Sequence, residues 1–163
     1  MCFRRLHCRG GKITMTIMIK RWILPALCGL LAVSAQADLA ESAVPIPVVT
    51  NLKAAYPQAQ YIEWDYDGDR GIYEAEFRIG RLEHELVLTA EGTIVLAKAE
   101  IPVAELPPDA AAAVRQRYQG GVIEKVKKIT RDNSVRYKVE VQLPNGDVDI
   151  YVDPRGGILH EDR

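Results

Sequence analysis

The chain has 163 residues, 48% of them apolar and 26% charged, with 21 basic and 22 acidic side chains and a net charge of −1. That length suits one domain or two small ones, and the composition excludes disordered, collagen-like and coiled-coil chains.

The charge is unevenly spread. Residues 1–37 carry Arg4, Arg5, Arg9, Lys12, Lys20 and Arg21 and no acid. Behind Lys20-Arg21 runs WILPALCGLLAV (22–33), followed by Ser34-Ala35-Gln36-Ala37. A basic flank, a short apolar core and an Ala-x-Ala end predict a secretory signal peptide cut after Ala37. The apolar run is too short to span about 30 Å of hydrocarbon at about 1.5 Å per residue. Met15 or Met18 gives a better-proportioned start, which would make residues 1–14 or 1–17 an over-extension. Cys28 raises a lipoprotein signal as an alternative, but Leu27 stands where lipidation needs a small residue. The product expected after cleavage, Asp38–Arg163, keeps 15 basic and 22 acidic residues. Cys2, Cys8 and Cys28 all go with the leader, so no disulfide or cysteine metal site is expected. An excess of seven acids disfavours nucleic acid and an anionic membrane surface. The expectation is a periplasmic or secreted protein with no membrane insertion after cleavage.

A tail, 38–45, leads into a helix over about 47–56, with Val48, Leu52, Ala55 and Tyr56 on one stripe and Pro57 as its stop. Strands follow near 60–66, 72–79, 82–89 and 93–100. Tyr73, Ala75, Phe77 and Ile79 alternate with Glu74, Glu76 and Arg78, which gives one apolar and one polar face. A linker rich in proline, 99–108, opens a second helix over about 108–118, with Ala111, Val114 and Tyr118 as its stripe and Gly120-Gly121 as its end. Four more strands lie near 122–130, 134–143, 147–153 and 157–160. There Val135, Tyr137, Val139, Val141 and Leu143 alternate with Arg136, Lys138, Glu140 and Gln142. IYEAEF (72–77) matches RYKVEV (136–141), and ELVLTAEGTI (85–94) matches DIYVDPRGGI (149–158), both at one offset. The predicted fold is therefore α+β: two tandem repeats, 46–101 and 102–163, each a helix packed on a four-stranded antiparallel sheet. Because the linker is short, the two sheets are expected to pack closely or run on as one.

These residues resemble the PepSY and PepSY-like group of exported bacterial domains, also described as beta-lactamase-inhibitor-like. The likeness is carried by the Tyr56-Pro57 helix end, the Trp64 strand, Tyr73-Glu74-Ala75-Glu76-Phe77 and the Glu91-Gly92 turn. In the second half it is carried by Ile101, Leu106-Pro107, Tyr137-Lys138-Val139-Glu140-Val141 and Asp153 with Gly156. The resemblance implies helix-on-sheet domains outside the cytoplasm and a role in regulating or inhibiting peptidases. It supplies no catalytic residue.

No catalytic constellation is present in 38–163. Ser42 and Ser134 are the only serines, in the tail and in a turn, and no Gly-x-Ser-x-Gly occurs. His84 and His160 are the only histidines, too few for a zinc site without chance proximity. Asp65, Asp67, Asp69 and Glu76 fall at positions one, three, five and twelve of a calcium loop, but Arg70 stands where the loop needs glycine. An acidic hairpin turn is the simpler reading of that stretch. Residues 46–101 carry five more acids than bases, whereas 102–163 balance. Lys125, Lys127, Arg136 and Lys138 lie on the polar strand faces, and Tyr151, on the polar side with Asp149 and Asp153, is a candidate aromatic anchor. Opposite charges that dock the two halves on each other, or that serve solubility, are the competing explanation. The expected function is a non-enzymatic exported module, without cofactor, that binds a protein or peptide of the cell envelope. A calcium or small-ligand sensor is the alternative, and the oligomeric state is not legible.

Overall fold

The computed structural model describes residues 39–163. The expected signal peptide, its cut after Ala37 and the three cysteines lie outside the described residues. In chain order the protein forms α1 (Ile46–Ala55), β1 (Gln60–Asp67), β2 (Ile72–Ile79), β3 (Leu82–Thr89) and β4 (Ile94–Ile101). It continues with α2 (Pro108–Arg117), β5 (Val122–Arg131), β6 (Ser134–Gln142), β7 (Val148–Val152) and β8 (Ile158–Asp162). Each helix starts on a proline in its first turn, where the missing N–H has no helical partner to lose. Among the described residues, no helix is long and apolar enough to cross a membrane.

The expected α+β pair of repeats, each with its own four-stranded sheet, is overturned. All eight strands pair in sequence order into one antiparallel sheet, so the protein is mostly β with two helices. The join is β4 against β5, in register from Leu96↔Arg131 to Ile101↔Val126. Two separate sheets would leave β4 and β5 as edges with rows of unpaired N–H and C=O groups. Pairing them satisfies those groups, and it sets Glu100 opposite Lys127.

Both helices cover the same face of this sheet. Val48 and Leu52 of α1 pack on Trp64, Ala75, Phe77, Leu86 and Leu88. Ala110, Ala111 and Val114 of α2 pack on Val126, Tyr137, Val139, Val141 and Ile150. On β4, Ala97 belongs to the first core and Ile101 to the second, four residues on and hence on the same face. Tyr118, at the end of α2, donates its hydroxyl to Glu161 on β8 at 2.9 Å, and Arg117 bonds the same carboxylate at 2.9 Å.

One titratable group is built into the first core. His84 stacks on Phe77 with ring centroids 5.2 Å apart and also meets Tyr56 at 6.0 Å, while its Nδ1 is buried without a hydrogen-bond partner. Burial pushes its pKa below the ordinary value, and the Glu100 carboxylate offsets part of that. The unfolded chain therefore binds the proton more readily than the folded one. Stability from this group is complete above about pH 6.5 and is lost as pH falls through and below that value. The expected result is a melting temperature that drops between pH 7.5 and 5.5 in the wild type, with most of the drop removed in His84→Phe. Equal drops in both proteins would assign the pH dependence elsewhere.

Candidate functional site

The face without helices carries the polar side chains, and the strand register sets them in rows. One row reads Glu63, Glu76, Glu85, Lys98, Ile129, Arg136 from β1 to β6. The next reads Asp65, Glu74, Val87, Leu96, Arg131, Ser134. Carboxylates thus collect over β1–β3, where a groove of about 320 Å³ is lined by Glu63, Glu76, Glu83 and Glu85 with Arg78, Lys98 and Lys127.

Between the acidic side and the rest of the face runs a seam of ion pairs. Lys98 meets Glu85 at 2.6 Å, and Lys125 meets Glu83 at 2.9 Å and Glu100 at 3.3 Å. Lys127 lies 3.7 Å from Glu83, and farther along Lys138 meets Asp149 at 2.7 Å. The hydrogen bond from Lys125 holds the Glu83 carboxyl below its usual range, and the same bond raises Lys125. Lys138 is raised chiefly by its bond to Asp149. Each pair is partly open to water and is worth about 0.2–1 kcal/mol, so the seam aligns β3, β4 and β5 more than it stabilises them.

Of the residues that sequence reasoning offers for a partner, Lys125, Lys127 and Lys138 are therefore held within the molecule. Arg136 and Tyr151 are placed differently: the guanidinium sits 5.8 Å from the Tyr151 ring centroid, and Tyr151 packs at 5.8 Å from His160. Tyr151 also packs on a small apolar cluster on this polar face, formed by Val87, Leu96 and Ile129. These three are buried, and among the described residues no helix covers them. The cluster and Arg131 beside it were not found from the sequence. Each apolar residue sits alone in a polar alternation on its own strand, and only the register of β3, β4 and β5 brings the three together.

Of the calcium candidates, Asp65, Asp67 and Asp69 line one hollow at the β1–β2 turn, and Glu76 does not join them. The Asp67 carboxylate accepts the N–H groups of Asp69 and Arg70, both at 3.0 Å, and also the Arg70 guanidinium. The Arg70 side chain is the main reason that the Asp67 pKa is lowered. Asp65 accepts the N–H of Tyr66 at 2.7 Å. Glu76 pairs with Glu63 in mid-strand, four residues from Ile72, which is the partner of Asp67. At about 3.3 Å per residue that is about 13 Å along the strand, beyond any shared ion. Among the described residues, no group of three or more such side chains could hold a metal ion.

Comparison with known proteins bears on the same residues. A family model described as beta-lactamase-inhibitor-like and PepSY-like matches residues 32–96 and again 73–160. A solved BLIP-like protein from Bacteroides fragilis is 28% identical, with a TM-score of 0.57 over 71% of this chain and 83% of its own. A protein described as periplasmic, from Bacteroides eggerthii, is 22% identical with a TM-score of 0.63 over 73% of this chain and 88% of its own. A DUF2874 family protein from Bacteroides uniformis is 24% identical with a TM-score of 0.61 over 72% and 88%. No curated protein matches the chain.

Proposed function

The chain belongs to the beta-lactamase-inhibitor-like, PepSY-like family, and we propose that it is a non-catalytic module of the cell envelope that binds another protein through the helix-free face of its sheet. The observation that carries this reading is the division of that face. Carboxylates gather over β1–β3, an ion-paired seam crosses the middle, and Arg131, Arg136 and Tyr151 lie around an apolar patch beyond it. A broad face zoned by charge, with an aromatic and arginines to one side of the seam, is suited to protein recognition, since electrostatic complementarity sets orientation and selects among partners. Among the described residues, the face holds no nucleophile paired with a base. Ser134 lies on β6 opposite Arg131, and His84, which borders the groove, stacks its ring on Phe77 of the first core. The leader-like stretch 1–37 and the periplasmic description of the eggerthii protein support an envelope location.

Site-specific photo-crosslinking of the full chain, exported in a Gram-negative host, tests this. A benzophenone side chain is placed at Tyr151 on the helix-free face, or at Tyr66, which lies on the opposite face with Tyr73. One discrete protein adduct is expected from position 151 and none from 66. Adducts from 66 alone, or from neither position, would remove the proposal.

A further inference from the structure

On that proposed binding face, we infer that Arg131, Arg136 and Tyr151 form a binding site for the carboxylate of a glutamate or aspartate side chain, presented by an extended acidic segment of the partner that also carries apolar residues.

The local sequence builds a rigid platform for this. β5 and β6 are joined by Asp132-Asn133, both in the left-handed region at φ 48° and 62°, the conformation of a tight two-residue hairpin turn. That turn fixes the register Arg131↔Ser134 and Ile129↔Arg136, so Arg131 and Arg136 stand diagonally on one face, with Cα atoms about 7–8 Å apart. Between them is a hollow of about 190 Å³ lined by Ile129, Arg131, Asp132, Ser134 and Arg136. Its floor, Ile129, is 4% exposed and continuous with Leu96 and Val87.

The two arginines differ from the lysines around them. Lys98, Lys125, Lys127 and Lys138 each have a carboxylate within ion-pair distance. Among the described residues, neither Arg131 nor Arg136 has an ion-pair partner, not even Asp132, which lines the same hollow. Both arginines thus line one small hollow with no ion-pair partner among the described residues. Arg136 is steadied by the Tyr151 ring, so less side-chain freedom is lost when it binds.

The chemistry selects the ligand class. A planar fork of N–H donors matches a carboxylate, and the hollow has room for one such group. The carboxylates over β1–β3 repel an extended polyanion, whereas a segment with spaced acids can set one of them between the arginines. The apolar cluster beside the hollow then meets the segment's neighbouring aliphatic side chain.

The test uses the full chain and a fluorescein-labelled peptide of alternating leucine and glutamate with an amidated C-terminus, read by fluorescence anisotropy. Its counterpart with glutamine in place of glutamate is the control. The glutamate peptide is expected to bind at least tenfold more tightly than the glutamine peptide. Arg131→Gln and Arg136→Gln should each weaken it about tenfold, the scale of one charged hydrogen bond. Lys127→Gln, whose cation is already shared with Glu83, should leave it unchanged. Equal binding of the two peptides, or wild-type binding by Arg136→Gln, overturns the inference. So does complete displacement by inorganic phosphate at concentrations where acetate does nothing. A Tyr151 adduct in the crosslinking experiment together with failure here would leave the binding face standing and remove only the carboxylate site.

Discussion

Gly92→Ala is expected to lower stability by about 2–5 kcal/mol, read from urea denaturation of the variant against the wild type. Gly92 sits in the β3–β4 turn at φ 85°, in the left-handed region that costs other residues about 1–2 kcal/mol. An added Cβ would also meet the Pro47 carbonyl oxygen and the Asn51 Nδ2 at 2.6 Å, inside any normal contact. Both belong to α1, and Asn51 donates its amide to the Gly92 carbonyl at 3.0 Å. The turn and the helix therefore touch backbone to backbone, and a methyl group must push α1 off the sheet. A Cβ at Gly156 would meet the Asp109 carbonyl oxygen of α2 at 2.7 Å in the same manner, so Gly156→Ala should behave alike. Gly146 provides the control: its φ is 115° but a Cβ there meets nothing within 4 Å. If Gly92→Ala costs no more than Gly146→Ala, close helix approach is not what the glycine provides.

Leu52→Ala and Ile150→Ala should each cost about 2–5 kcal/mol, because both side chains are fully buried in well-filled surroundings. The two lie in different cores, one under each helix. Were the halves independent, each variant would shift only its own part of the unfolding curve. The β4–β5 ladder makes the sheet continuous, so both should move one shared transition. Far-UV circular dichroism follows the whole sheet, and Trp64 fluorescence in a Trp22→Phe background follows the first core alone. Coincident curves for Ile150→Ala by the two probes are the expected outcome. A Trp64 curve unmoved by Ile150→Ala would show that the ladder does not couple the cores.

The alternation of single residues made the strands legible. Tyr73, Ala75, Phe77 and Ile79 mark a strand with one buried face, and β2 spans those residues. Which strands become neighbours across the linker is a different kind of information. The β4–β5 pairing joins segments separated by a helix, and no local period in Ile94–Ile101 names its partner. That is why two repeats, each with its own sheet, are expected from the sequence, and whether those sheets merge is left open there. The same gap governs the face. Lys125 and Lys127 were placed on its polar side, but their pairing with Glu83 depends on a register fixed only by the join. Arg136 and Tyr151 could be named from alternation alone. Arg131 sits at the last position of β5, next to the turn, where the alternation ends and the face of a side chain is hardest to read. The calcium spacing puts Asp65, Asp67 and Asp69 at one turn but leaves Glu76 out along the strand, because twelve residues in a hairpin run out and back, whereas in a binding loop they coil round a point.

The order of the strands also sets an order in time. Seven ladders hold the sheet, and six join strands linked by a short connection, which closes at little entropic cost. The β4–β5 ladder alone must wait for the chain to pass through α2, a connection of about 20 residues. Each half can therefore gather its own four strands and helix as a local nucleus, while the sheet closes along its middle in a later, slower step. During that interval β4 and β5 are bare edges, with Glu100 on one and Lys127 on the other. At high concentration the first half of one molecule could find the second half of another before its own. The join that makes the finished sheet continuous is thus also the place where two newly made chains can exchange halves.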